Sequence, residues 1–339
     1  MILRKSGIFS FLLLAVLLVS CSSDDSLNSD VETSETAYLY VATHNGDVKR
    51  YDINTGKVTT YANSSSDAEG IHFSAGSDAL TIVSRSSNRL VSYPGIGALG
   101  SGGTQNPENE LLGSADLQSP RDLAVNGDFY VVSDDTDIDG DAETGKGRLF
   151  VYAKTGTGFF LRNIVTTKFK LHGIEFIGGD LYAAVDETNR LAVFRNFLAN
   201  SFSGTRSADK IVTIQGMVRA HGLDYEDGVM VVSDIGEAES SSDGGLHIIQ
   251  DFDAKYNAAT TGGFIGEADQ LKIGGGNTLL GNPVNVEYDS AYDVIFVAEG
   301  LNNGGRILAF NNATSVSGNI SPDLKYALPG VSALFFYTE

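Results

Sequence analysis

No tryptophan occurs in this chain, although carbohydrate-binding platforms often rely on it; glycan binding loses weight, and only the 14 tyrosines offer another stacking surface. There is one cysteine, Cys21, so no intrachain disulfide can form. Basic residues are scarce: 23 Lys and Arg stand against 43 Asp and Glu, a net charge of −20. That balance excludes a nucleic-acid partner, which needs clustered Lys and Arg facing phosphates. It also argues against electrostatic docking onto anionic lipid. What it favours is a soluble, monomeric protein, or one that attracts cations or a cationic partner. Helical periodicity is missing from every long stretch after residue 37. No nucleophile elbow, Walker loop, Rossmann fingerprint or zinc-metalloprotease motif is found.

The only strongly apolar run is at the start. Arg4 and Lys5 precede Ile8–Leu18, broken only by Ser10 and too short to span a bilayer comfortably, as in a signal peptide over residues 1–20. The run ends in Leu18-Val19-Ser20-Cys21, which resembles the bacterial lipoprotein box. The resemblance implies that Cys21 is diacylated and becomes the mature N-terminus, which accounts for the lone cysteine. Residues 21–36 read as a flexible acidic tether; fifteen such residues span about 20 Å as a random coil. The start Cys21-Ser22-Ser23-Asp24-Asp25 resembles the surface-export signal of lipoproteins in the Bacteroidota, implying the outer face of the outer membrane.

Residues 37–339 repeat a three-strand pattern. First strands start at Gly70, Asp122, Gly173, Gly222, Asn285 and Ser332, spaced by 52, 51, 49, 63 and 47 residues by subtraction. Second and third strands follow each start except the last. The missing pair stands at the other end of the region, as Tyr38–Thr43 and Gly46–Tyr51. The runs are β-branched and aromatic, with Gly, Asn or Asp between them. The period suits a four-stranded propeller blade. The split repeat predicts an all-β, six-bladed β-propeller closed by pairing Ala333–Tyr337 with Tyr38–Thr43, which removes free sheet edges. Lys210–Gln215 and Phe160–Val165 are candidate outer strands. Blade 1 is the split blade, and blades 2 to 6 start at Gly70, Asp122, Gly173, Gly222 and Asn285.

In this geometry the residue before each first strand rings the top mouth of the central channel: Glu69, Arg121, His172, His221, Val284 and Val331. The residues ending the second strands lie nearby: His44, Arg85, Asp134, Asp186, Asp234 and Glu299. Three of the five histidines fall in these two rings. The expected ligand-binding set is Glu69, Arg121, Asp122, His172, His221, Asp186 and Asp234. Plainer roles compete with it: His172 and His221 bonding across the mouth, Glu69 and Arg121 forming an ion pair, and Asp186 and Asp234 accepting from loop backbone. The loops after the second strands of blades 3, 5 and 6 are long, as binding loops often are. In the blade 3 loop, Asp135, Asp137, Asp139 and Asp141 alternate ahead of or around Gly140, like half of a calcium loop. Lys146 stands where an EF-hand needs its bidentate Glu, so that motif is rejected. A simpler calcium-stapled turn and a solvated acidic loop both remain.

The repeated Gly-[Ile/Leu]-x-[Phe/Tyr] start, the Leu-Tyr-like second strand, and the turns Asn88-Arg89-Leu90 and Asn189-Arg190-Leu191 resemble NHL-type repeats. They also resemble the wider six-bladed superfamily of gluconolactonases of the senescence-marker family, paraoxonases and the amidating lyase. The resemblance implies a channel metal whose ligands precede the first-strand Gly. Glu69 matches the family's Glu, while His172 and His221 stand where the lactonases use Asn and Asp. Glu69, His172 and His221 would suit zinc or iron rather than calcium, with an open position to activate water. Fold alone does not fix activity. The expectation is therefore a lipid-anchored, surface-exposed propeller binding a small ligand or protein partner through its top face. The alternative is a metal-dependent hydrolase of lactones or esters. A purely structural envelope scaffold is a third reading.

Overall fold

The computed structural model describes residues 36–136 and 146–339. Six separate sheets are built from these residues, each with four antiparallel strands from the channel outward, in sequence order in blades 2 to 6 and with the last strand of the chain innermost in blade 1; three sheets carry a fifth, parallel strand. Blade 2 is Ala68–Ser74, Ala79–Ser84, Arg89–Pro94 and Leu111–Leu112. Blade 3 is Pro120–Asn126, Phe129–Asp134, Arg148–Thr155 and Gly158–Thr166. Blade 4 is Leu171–Ile177, Asp180–Val185, Arg190–Phe194 and Lys210–Ile214, so both expected outer strands are present. Blades 5 and 6 begin at Ala220–Glu226 and Pro283–Asp289.

Blade 1 closes as the split repeat predicts. Val331–Thr338 lies against Ala37–Thr43 in antiparallel register, with Ala37 opposite Thr338 and Val41 opposite Leu334. Thr36 and Glu339 exchange two backbone hydrogen bonds of 2.9 and 3.0 Å at the end of the ladder. The packing confirms the circle. Six apolar clusters are formed, one at each junction between neighbouring blades. The last junction joins Phe296, Ala298 and Ile307 of blade 6 to Leu39, Val41 and Leu334 of blade 1. A blade has two apolar faces, and only a closed ring covers both on every blade.

Inner strands of neighbouring blades belong to different sheets and share no ladder. Side chains bridge them instead. The Ile174 N–H donates to Asp122 (2.9 Å), Leu334 N–H to Asn285 (2.9 Å), Tyr288 N–H to Asp224 (2.6 Å) and Phe336 N–H to Glu287 (3.1 Å). Close approach explains the recurring glycine. A Cβ on Gly70 would stand 2.7 Å from the Leu123 side chain, one on Gly222 2.7 Å from Asn285 Cα, and one on Gly173 would run into the His221 carbonyl. Among the described residues there is a single α-helix, Phe252–Ala258, and no helix long and apolar enough to cross a membrane.

Candidate functional site at the channel mouth

Near the top of every inner strand the register slips. The irregularity lies between Glu69 and Ile71, Pro120 and Asp122, Leu171 and Ile174, Ala220 and Leu223, Pro283 and Asn285, and Val331 and Ala333. A bulge re-aims the side chains around it. Here it governs Arg121, His172, His221, Val284 and Ser332, and flanks Glu69. Val331 is thus one residue out of place in the expected ring: it is buried in the blade 6 and blade 1 core. Ser332 takes the mouth position, donating its hydroxyl to the Ala68 carbonyl at 2.7 Å. The extra bulge residue is invisible in an alignment made on strand starts.

His172 and His221 come together, their ring centroids 3.3 Å apart and both side chains buried. His221 Nδ1 lies 2.7 Å from the Val284 carbonyl, which accepts only, so Nδ1 carries the proton and the Nε2 lone pair is left free. Burial lowers the His221 pKa to about 4, against the opposing pull of the Val284 bond. His172 is pushed well below its ordinary value by burial, then by His221 and the guanidinium groups of Arg121, Arg219 and Arg85. Both imidazoles are neutral at neutral pH.

Glu69 does not pair with Arg121. Its carboxylate is 3.4 Å from His44 and 3.5 Å from Arg85, whereas Arg121 binds Asp135 at 2.9 Å. Burial raises the Glu69 pKa to about 7, although His44, Arg85 and Arg121 oppose the rise. Glu69, His44 and Asp67 form the one group of three metal-ligand side chains among the described residues whose ligand atoms all lie within 4.8 Å of one another. Glu69 is therefore not gathered at that range with His172 and His221. Arg85, at 3.5 and 3.8 Å from Glu69 and Asp67, already places a cation against the two carboxylates. The imidazole nitrogens of His172 and His221 do not fit a hard calcium ion at the mouth. They fit a borderline metal, and a backbone carbonyl on the far nitrogen is the usual support of a ligating histidine.

The remaining expected residues separate by role. Asp186 pairs with Arg219 at 3.0 Å, which brings that arginine to the mouth. Asp234 is a structural cap, accepting from the backbone N–H groups of Val218, Arg219 and Gly236. Asp134 and Glu299 do the same for Gln118 and Ser119, and for Gly281 and Asn282. Asp122 sits one level deeper, bridging to blade 4. Of the acidic loop, Asp135 is spent on Arg121, while Asp137, Asp139 and Asp141 lie outside the described residues, as does Cys21.

Below the mouth the channel holds a cavity of about 140 Å³, onto which His72, Asp122, Glu175, Asp224, Asn285 and Glu287 open. Burial raises Asp122 and Asp224 to about 7, with Glu69 and Asp224 adding to the first and Glu226 and Asp289 to the second; burial and then the neighbouring channel acids raise Glu175 and Glu287 well above the carboxylate range. Burial holds His72 at about 4. Four acids sharing one poorly solvated space cannot all ionise at neutral pH. Of this layer sequence reasoning named only Asp122, yet the rest had a signal: an ionisable residue in the third place of otherwise apolar strands such as Gly173-Ile174-Glu175-Phe176.

No family model matches the chain, and no curated protein matches it. Among solved structures, a chain in the crystal structure of a nidogen/laminin complex superposes with a TM-score of 0.56 at 12% identity, covering 88% of this chain and 98% of that one. At that identity the likeness carries the architecture, and this chain shares with it the β-propeller fold.

Proposed function

We propose that this protein is a lipoprotein of the cell envelope, anchored through Cys21 and exposed at the outer membrane surface. Its propeller binds a small polar ligand or a protein partner at the channel mouth. One observation carries the reading. Glu69, Arg85, Arg121, His172, Arg219 and His221, from four different blades, converge on one end of the channel and act on one another electrostatically. Holding the buried groups Glu69, His172 and His221 beside three half-buried arginines costs stability, which a closed ring absorbs and a binding function explains. The lipobox and acidic tether support the address, and the acidic surface supports a monomer. Mass spectrometry of membrane-extracted protein tests the anchor through the acyl mass on Cys21. A thermal-shift screen of small carboxylates, sugars and peptides, run on wild type and on a Glu69→Ala, His172→Ala, His221→Ala variant, tests the mouth. A stabilising compound that loses its effect in the variant supports the site; equal responses place binding elsewhere.

The hydrolase reading rests on the free Nε2 of His221 beside neutral His172. These two side chains would hold a zinc or iron ion, with Glu69 brought in as a third ligand. Such an ion supplies Lewis-acid activation of water or a carbonyl. Calorimetric titration with zinc decides it: stoichiometric binding that is lost in His172→Ala supports a metal centre, and no heat at micromolar protein refutes it.

A further inference from the structure

The four acids of the channel cavity lack a counter-ion. Asp122, Glu175, Asp224 and Glu287 come from neighbouring blades, 3 to 6, and open on one space of about 140 Å³. None forms an ion pair among the described residues; the arginines of the mouth are engaged by Glu69, Asp135 and Asp186 instead. His72, the one basic side chain on the cavity wall, is held neutral by burial and then by Lys154. Three of the acids hold a backbone N–H of the next blade with one oxygen: Asp122 that of Ile174, Asp224 that of Tyr288 and Glu287 that of Phe336. The second oxygen of each is left for a ligand. Asn285, only 8% exposed, stands on the same wall. Its side-chain oxygen accepts the Leu334 N–H at 2.9 Å, which fixes the amide and turns its NH2 group to the cavity. That group has no partner among the described residues, and a buried donor left unmet is costly.

A bare metal ion does not answer this arrangement. Among the described residues the one trio of ligand side chains within 4.8 Å of one another is at Glu69, so the channel acids and His72 stand too far apart to clasp an ion, and the Asn285 NH2 group would face it. A molecule of several atoms spans such gaps. A cavity of about 150 Å³ admits benzene, so this one has room for about six non-hydrogen atoms. We propose that the channel cavity seats a small amino alcohol. Its ammonium group donates to the free carboxylate oxygens of Glu175, Asp224 and Glu287 as their missing counter-ion. Its carbon atoms lie against apolar side chains such as Leu223 and Leu334, and its hydroxyl oxygen accepts from Asn285. The acceptor must be uncharged, because a carboxylate there would be repelled by the four acids. The inference gives a ligand class to the channel and rests on the mouth reading for the way in.

Isothermal titration calorimetry of the full chain tests it, with ethanolamine, propanolamine and butanolamine as probes and the matched diols and calcium chloride as controls. At about pH 8 amines of this kind are still protonated. At least one amino alcohol should bind one per chain with a Kd below about 1 mM, and at least about tenfold more weakly to Glu175→Gln and Asp224→Asn. Each variant keeps the shape of the side chain and removes one buried charge, so thermal melts should show both folded. No heat from any of the amines up to about 10 mM, or equal affinity for amine and diol, overturns the proposal on the wild-type protein alone. Unchanged affinity in the folded variants overturns it too. So does stoichiometric calcium binding that is lost in Glu175→Gln, which would make the channel a metal site. The Glu69→Ala, His172→Ala, His221→Ala variant separates the cavity from the mouth. Amine binding that survives there and fails in Glu175→Gln supports the cavity and removes the mouth as a ligand site. Binding lost there and kept in Glu175→Gln moves the ligand to the mouth and overturns the cavity.

Discussion

Replacing Asp122 with Asn should stabilise this protein at alkaline pH, although it alters a buried, hydrogen-bonded group. Asp122 accepts the Ile174 N–H at 2.9 Å, and its pKa is raised from 3.8 to about 7 by burial, with Glu69 and Asp224 adding to the rise. The folded state therefore keeps a proton that the unfolded chain releases near pH 4. The contribution to stability is complete below that pH and is lost as pH climbs through about 7. A difference of about 3 units at 1.36 kcal/mol each is about 4 kcal/mol by pH 8. Neighbouring acids share the strain, so removing one charge should recover about 2–4 kcal/mol, or roughly 5 °C in Tm for a chain this long. Asn keeps the acceptor: Asn285, at the matching place in blade 6, receives the Leu334 N–H at the same 2.9 Å. The assay is thermal and urea denaturation of both proteins at pH 4.5 and pH 8. A near-zero difference at the lower pH and a stabilised variant at the higher one are expected. An Asp122→Asn protein less stable than wild type at pH 8 would refute the reasoning, since Asp122 would then be a charge satisfied by something in the channel.

Asp134 should behave in the opposite sense. Burial opposes its charge, but the N–H groups of Gln118 and Ser119 and the Arg148 guanidinium outweigh it and lower its pKa. Its contribution is present above the ordinary carboxylate range and is lost as pH falls through the depressed value. Asp134→Ala should cost about 2–4 kcal/mol at pH 7 by urea melts, with a smaller difference near pH 3. Gly173→Ala should destabilise by several kcal/mol and disturb the paired imidazoles, because the added carbon meets the His221 carbonyl; unchanged histidine NMR shifts would contradict this. Ala42 and Ala333 face each other across the closing ladder in one core cluster. An Ala42→Cys, Ala333→Cys pair should oxidise to near completion and raise Tm, and persistent free thiols would mean an open ring.

The circle was legible because its signature is long-range: a first strand without followers at one end and followers without a first strand at the other. Outer strands such as Gly158–Thr166 could be read from β-branched and aromatic runs. The mouth was legible only to within a residue. Strand starts located Glu69, His172 and His221 on one rim, but pairing partners depend on side-chain reach, so Glu69 went to Arg85 and His44 rather than Arg121. Val331 gave way to Ser332 because a bulge inserts a residue without changing hydrophobic pattern. Apart from Asp122, the channel acids went unnoticed for a related reason. Glu175 and Glu287 look like surface residues of half-buried strands until the ring turns that face inward.

The convergence of distant strands on one channel mouth is tested most directly by histidine NMR, with the ring signals assigned through single His→Gln variants. His72, His172 and His221 should remain neutral from pH 8 down to about 5, since burial holds His72 and His221 near 4 and His172 well below its ordinary value. If His172 or His221 instead titrates near 6.5, its ring is in water and the mouth described here does not exist.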